Sequence, residues 1–342
     1  MEETKTFGGA EPLTAQSGKD LYAEARAIAD PEFTRRLVTV RFGPTVRGIA
    51  LVWAQLALAW AIALLAPPPF ALLSLVIVCA CQQGMLLWIH EASHGTLARV
   101  QNCSDFWIDL LVATPIGMTV RAYRASHLSH HAYLGTSRDQ DRWAFSLDVR
   151  GSRLWRVLTL GFLGYYGLTV TVLKFLRSSG KREEGPGEGE RDRSYVVTPW
   201  FMMVVWNGLL LALAVSAGRA WVYPLLWITP LLTVGVLLNI VRSTAEHQPP
   251  NFTTHEGFES DVGAVTRTTI PAWFEKWLLY QVNFNYHFEH HTWPRVPFFQ
   301  LPRLHRHITE RGFYQRHPEC LQSSALPTIL ALHRGADPPR VR

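Results

Sequence analysis

Four stretches of the chain, 49–66, 70–89, 197–216 and 220–240, contain no Asp, Glu, Lys or Arg. Each approaches the ~20 residues that a helix needs to cross the apolar core of a bilayer. Nothing else in the sequence restricts the fold as strongly, because peptide groups placed in hydrocarbon must bond within their own segment, and a helix does this. Bulk composition does not disclose it. At 48% apolar residues in 342, the chain sits between soluble and membrane classes. Pro67, Pro68 and Pro69 alone separate the first two stretches, and Ala217, Gly218 and Arg219 alone separate the second two. The stretches therefore pair into two tight transmembrane helical hairpins, giving four crossings.

The distribution of cations orients these hairpins. With the N-terminus inside, the two translocated tips carry only Arg219, and every other Lys and Arg falls on the cytoplasmic side, as expected of short cytoplasmic segments. Residues 1–48 lack the basic start, apolar stretch and cleavage site of a secretory signal, so they read as a cytoplasmic N-terminal segment. The expected fold is all-α and integral to the membrane over 49–342. Hairpin 49–89 is followed by a cytoplasmic and interfacial segment, 90–196, then by hairpin 197–240 and a helical cytoplasmic cap, 241–342. Two partly apolar stretches, 106–120 and 157–175, are expected to lie in the interface, where Arg153, Arg156, Lys174 and Arg177 suit them. A crossing by 157–175 alone would put the membrane between two sets of histidines. The charged, glycine-rich stretch 177–193 reads as a mobile loop.

The formal net charge of +6 reads as a membrane-facing surface. The basic residues are dispersed and no nucleic-acid-binding motif accompanies them, which argues against a nucleic-acid partner. Cys79, Cys81, Cys103 and Cys320 are too few and too scattered for a disulfide framework or a zinc motif, and read as buried thiols in a reducing compartment.

Of the fourteen histidines, eight fall in three groups. HEASH supplies His90 and His94, HLSHH supplies His127, His130 and His131, and HFEHH supplies His287, His290 and His291. Residues three and four apart share a helix face, so each group presents two or three imidazoles in one direction. One HxxxH arises readily by chance; two HxxHH groups with an HxxxH at the end of an apolar helix require a purpose, and metal binding is the one that fits. Imidazole suits iron, zinc and copper alike, but eight ligands exceed what one tetrahedral zinc can use and suffice for two ions of higher coordination. HEASH also fits the HExxH of zinc proteases, with Glu91 as general base; that reading leaves both HxxHH groups unexplained and suits Glu91 better to orienting a ligand histidine. A ferritin-like site needs two ExxH pairs, and only Glu91 to His94 qualifies. A histidine-rich metal transporter would line the crossings with polar or ionisable residues, and the four stretches contain no charged residue and no histidine.

HEASHGTL from His90, HLSHHAYLGTSRDQD from His127 and NFNYHFEHHTWPRVPFFQLPRLH from Asn283 together resemble the membrane fatty-acid desaturases and their hydroxylase and carotenoid-ketolase relatives, over roughly 86–304. The resemblance implies four crossings and a cytoplasmic cap holding a histidine-liganded pair of non-haem irons. The eight grouped histidines would be ligands, and His247 of RSTAEHQ stands where such proteins often supply a ninth. It further implies an O2-dependent oxidoreductase that introduces a double bond into a fatty-acyl or lipid-like substrate, carried by a coenzyme or carrier. The alternatives are hydroxylation, ketolation or desaturation of a carotenoid or small secondary metabolite. Electrons would come from a separate ferredoxin, rubredoxin or cytochrome b5-type donor, since the chain has no GxGxxG, iron–sulfur cysteine set or HPGG. The active site would face the cytoplasm, most simply at a bacterial inner membrane. Glu91 and Asn283 are the candidates for a catalytic role beside the ligands, Asn239 and Asn285 for holding water or substrate, and Asp139 and Asp141 for orienting a ligand. Gln82 and Gln83 face a substrate tunnel or a neighbouring helix. His255, His305, His307, His317 and His333 lie outside the groups and read as ordinary polar residues.

Overall fold

The computed structural model describes residues 15–98, 101–179, 199–248, 266–336 and 339. Most of the expected loop at 177–193, and His255, lie outside them. Short helices α1 (Ala15–Ile28) and α2 (Pro31–Leu37) lead into α3 (Phe42–Leu65). Asp30 caps α2 through the Glu32 and Phe33 amides, ahead of Pro31 at a position where its missing N–H costs nothing. One 3-10 turn, Pro68–Phe70, joins α3 to α4 (Ala71–Ser93). Next come α5 (Gln101–Ile108), α6 (Val120–Tyr133), α7 (Arg153–Phe162), α8 (Tyr165–Ser179) and α9 (Pro199–Ser216). A π-helical segment, Tyr223–Ile228, precedes α10 (Thr229–Leu232) and α11 (Val234–His247). The last part holds α12 (Trp273–Leu278), α13 (His287–Thr292), α14 (Leu301–Glu310), α15 (Phe313–Arg316) and α16 (Ala325–His333). The strands β1 (Thr268–Thr269) and β2 (Leu321–Gln322) form a minimal parallel pair.

Four helical segments are long and apolar enough to cross a membrane: Phe42–Leu65, Pro68–Ser93, Pro199–Ser216 and Tyr223–His247. They match the four uncharged stretches, but the second and fourth run on past them and carry His90 and His247 at their ends. Val52, Leu56 and Trp60 of α3 pack against Met85 and Trp88 of α4 and Trp227 of the fourth segment in one core. From Val78 onward α4 is buried nearly all round, so it can carry Gln82, Gln83, His90 and Glu91 inside protein rather than in lipid. Gln82 donates to the Trp227 carbonyl, 2.9 Å, tying the second span to the fourth. Arg219, between the third and fourth of these segments, donates to the Ala63 and Ala66 carbonyls, 2.9 and 2.7 Å, and so closes the C-terminus of α3.

The stretch 157–175 is not a straight helix. α7 and α8 meet at 67°. The pair leans on the fourth span where that span is itself broken at Thr233 (φ −118°, ψ −91°), and a Cβ on Gly167 would stand 2.2 Å from the Leu232 carbonyl oxygen. Elsewhere Leu21 and Ala25 of α1 pack with Phe288, Leu304 and Phe313 to cover α13.

Candidate metal centre

The nine histidines arrive on four elements, and the two long helices that bring His90 and His247 end on arginines. Arg124 of α6 donates to the Ala92 and Ser93 carbonyls at the end of α4, 2.8 and 2.9 Å, while a two-pronged pair with Asp105 fixes its guanidinium. Arg267 donates in the same way to the Ala245 and Gln248 carbonyls at the end of α11, 2.8 and 2.9 Å, and its own N–H bonds the Glu246 carbonyl. Guanidinium groups at helix C-termini satisfy open carbonyls and suit the negative end of the dipole. α6 begins on Thr119, whose hydroxyl accepts the Ala122 amide.

All nine histidines converge. Among the described residues their ring nitrogens form two nests, each with its atoms within 4.8 Å of one another: His90, His94, His127, His131 and His290 in one, and His130, His247, His287 and His291 in the other. The two HxxHH groups exchange members. The residues four apart, His127 and His131, share the first nest while His130 crosses to the second; His287 and His291 share the second while His290 crosses to the first. Within the nests Nε2 atoms meet at 3.0 Å (His94 and His127, His127 and His131), 3.1 Å (His94 and His290), 3.2 Å (His131 and His290) and 2.8 Å (His247 and His287). Both ring nitrogens of His90, Nε2 of His291 and Nδ1 of His287 are buried without a hydrogen-bond partner. An orphaned buried polar atom costs ~1–3 kcal/mol; a neutral imidazole has one lone pair, so ions in the nests would remove that cost at one nitrogen of His90 and at Nε2 of His291.

Burial pushes the pKa of His127, His131, His287, His290 and His291 well below the ordinary range, with neighbouring imidazoles adding to the effect. Burial and the nearby Arg124 bring His94 down to about 3. The rings are therefore neutral at physiological pH, the state in which they can donate a lone pair.

Around the nests lies a layer of carboxylates. His130 Nδ1–H donates to Asp139 at 3.0 Å, leaving Nε2 for the nest; burial alone would raise the Asp139 pKa, but His130 and the Gly135 and Asp141 amides hold it below the usual range. Asp141 stands 3.4 Å from His127 Nδ1. Glu91 accepts from Thr96 and from the Phe298 amide, and lies 3.4 Å from His90 Nδ1. Glu289, inside the third group, accepts from Thr268, from His305 Nδ1 at 2.5 Å and from Tyr314 at 2.6 Å. His305 thus serves as a partner of Glu289, which its position outside the groups did not suggest; only the fold brings Tyr314 and Thr268 to the same carboxylate. Asn283 does not point its amide at the described ring nitrogens: it accepts from Lys276, 3.0 Å, and donates to the Phe298 carbonyl, 3.0 Å. Asn285 accepts from Lys276 and donates to Thr269, and Asn239 accepts from Arg242.

The family model described as fatty acid desaturase matches residues 59–322. Among characterised proteins, the dihydrorhizobitoxine desaturase of Bradyrhizobium elkanii is 28% identical over 242 residues, 68% of this chain and 66% of that one. The sn-1 acyl-lipid omega-3 desaturase (ferredoxin) of a Synechocystis strain is 24% identical over 65% of this chain and 64% of its own, and the zeaxanthin 4-ketolase of Chlamydomonas reinhardtii is 25% identical over 64% and 40%. The chain thus spans less than two thirds of the length of each of these relatives. With the family match covering most of its length and three histidine groups folded into one centre, the chain belongs to the fatty acid desaturase family.

Proposed function

We propose that this chain is an O2-dependent membrane oxidoreductase that holds two iron ions and introduces a double bond into a fatty-acyl or other lipid-like substrate. The observation that carries the reading is the division of nine buried or half-buried imidazoles into nests of five and four. At metal–imidazole bonds of ~2.0–2.1 Å, ligands at right angles stand ~3.0 Å apart and tetrahedral ones ~3.3 Å. The observed 2.8–3.2 Å favours five- or six-coordinate ions over tetrahedral zinc. The HExxH protease reading would leave seven of the nine rings without a task.

Once bound, the irons would supply the oxidation of an unactivated C–H bond, with O2 as co-substrate and electrons from an external ferredoxin, rubredoxin or cytochrome b5-type donor. The protein's own groups would do the rest. His90, His94, His127, His131 and His290 would hold one ion, and His130, His247, His287 and His291 the other. Asp139 fixes the tautomer of His130, and Glu91 anchors the loop at Phe298 against α4. Four crossings arranged as two hairpins, with a cap over the site on the cytoplasmic side, would bring an apolar substrate from the bilayer to the nests. Relatives named for a carotenoid ketolation and for dihydrorhizobitoxine support a second reading, in which the substrate is a carotenoid or small secondary metabolite.

The test is the metal content of the detergent-solubilised protein, wild type against His130→Ala and His290→Ala. Near two irons per chain, reduced in both variants, would support the reading and direct a search of lipid extracts for new double bonds or hydroxyls. A single zinc unchanged by either substitution would overturn it.

A further inference from the structure

We propose that Glu246 supplies an oxygen donor to the metal in the four-histidine nest, a proposal that rests on the two-iron reading above. Glu246 precedes His247 at the end of α11 and is fully buried. A carboxylate in that position is expensive unless it is paired and its oxygens are used. One oxygen is used: Oε2 accepts from Arg242 Nη1 at 2.5 Å, and the same atom lies 3.7 Å from Nε2 of His287, a member of the nest. The other is not. Oε1 is the one carboxylate oxygen among the described buried side-chain atoms that has no hydrogen-bond partner.

The neighbouring carboxylates differ in this respect. Asp139 is taken up by His130 and by the Gly135 and Asp141 amides, and Glu289 by Thr268, His305 and Tyr314. Glu91 spends Oε2 on Thr96 and Phe298, and its Oε1 stands 3.4 Å from His90 Nδ1, in the five-histidine nest. These three hold ligands and loops in place. Glu246 has one oxygen, Oε1, without a partner, and its other, Oε2, lies 3.7 Å from Nε2 of His287, at the edge of the four-histidine nest. The donor count points the same way: one nest has five imidazoles and the other four, and a carboxylate would make them equal with a hard oxygen that suits iron. Arg242 gives the arm its rigidity. Its Nη2 donates to Asn239 at 2.8 Å, and its guanidinium lies 4.2 Å from the centre of the Phe284 ring.

The experiment uses the full-length, detergent-solubilised protein loaded with iron, and reads iron stoichiometry, iron affinity and Mössbauer spectra for wild type and Glu246→Gln. The expected result is one iron bound as in wild type with its spectrum unchanged, and a second bound at least ~10-fold more weakly with an altered spectrum. Two irons at wild-type affinity with both spectra unchanged would overturn the proposal. If Glu246→Gln fails to fold because Arg242 has lost its counter-charge, the double variant Arg242→Gln/Glu246→Gln removes both charges. It should still lose the second iron, whereas a Glu246 that is only the counter-ion of Arg242 would leave the double variant with two. Failure of the two-iron reading itself would show in the unmutated protein, as less than two irons.

Discussion

His130 reaches the four-histidine nest through one nitrogen because Asp139 takes the other, and this division of labour is testable one residue at a time. On the proposed two-iron reading, Asp139→Asn should weaken binding of one iron by ~10–100-fold, the usual effect of losing a group behind a ligand. Asp141→Asn should have a smaller effect, since that carboxylate stands 3.4 Å from His127 and its side chain is 27% exposed; iron titration of both variants checks the order. Lys276 gives a pH dependence independent of the metals. Its ammonium bonds the carbonyl oxygens of Asn283 and Asn285 rather than a carboxylate, and burial brings its pKa down to about 8. Between pH 8 and ~10.5 the unfolded chain keeps a proton that the folded chain has lost, so stability should rise with pH across this window, by up to ~1.4 kcal/mol per unit. Lys276→Met should flatten that rise; melting curves at pH 8, 9 and 10 that run parallel for the two proteins would refute it. At this scale the eight grouped histidines were legible because spacing of three and four on a helix is a local property. The exchange of His130 and His290 between nests was not, nor were the bonds of His305 to Glu289 and of Arg242 to Glu246. The first two depend on how separate helices face one another, and the Arg242–Glu246 pair lies within one helix turn but gains its meaning only from His287 on another.

At the level of elements, absence of charge located the four helices long and apolar enough to cross a membrane but not their ends. α4 and the fourth span outrun their apolar stretches because the polar residues at their ends, from His90 to Ser93 and from Arg242 to His247, are covered by other helices and need no lipid-compatible surface. The bend between α7 and α8 was hidden for a related reason: apolar composition over 157–175 says that the stretch is covered or lipid-facing, and says nothing of its direction. Close approach at Gly167 holds α8 against the broken fourth span. Gly167→Ala would press a methyl group onto the Leu232 carbonyl, a backbone atom that cannot rotate away, and should cost ~1–3 kcal/mol of stability. Gly208→Ala on α9 is the control, because nothing lies within 4 Å of its added carbon, and a helix gains from the exchange. A thermal midpoint lowered by Gly167→Ala and not by Gly208→Ala is the expected pair of outcomes; equal midpoints would mean that α8 is free to move off the span.

For the whole molecule, the nests do what no single helix contact does: they gather α4, α6, α11 and α13, drawing residues from His90 to His291 around two points. Each nest places imidazole nitrogens against one another, an arrangement that disfavours the folded chain until something binds their lone pairs. A metal that binds only the folded protein adds stability by mass action, ~2.7 kcal/mol when free metal is a hundredfold above its dissociation constant. If the metal is iron as proposed, its removal with a chelator should therefore lower the thermal midpoint of the wild type by several degrees, and adding iron back should restore it. His94→Ala, from the five-histidine nest, and His291→Ala, from the four-histidine nest, should each remove part of that difference, and the double variant nearly all of it, because the nests share helices but not ligands. Chelation that leaves the wild-type midpoint unchanged would show that packing alone fixes the four helices, and that the nests are held open against the cost of their bare nitrogens by the arginine-capped ends of α4 and α11.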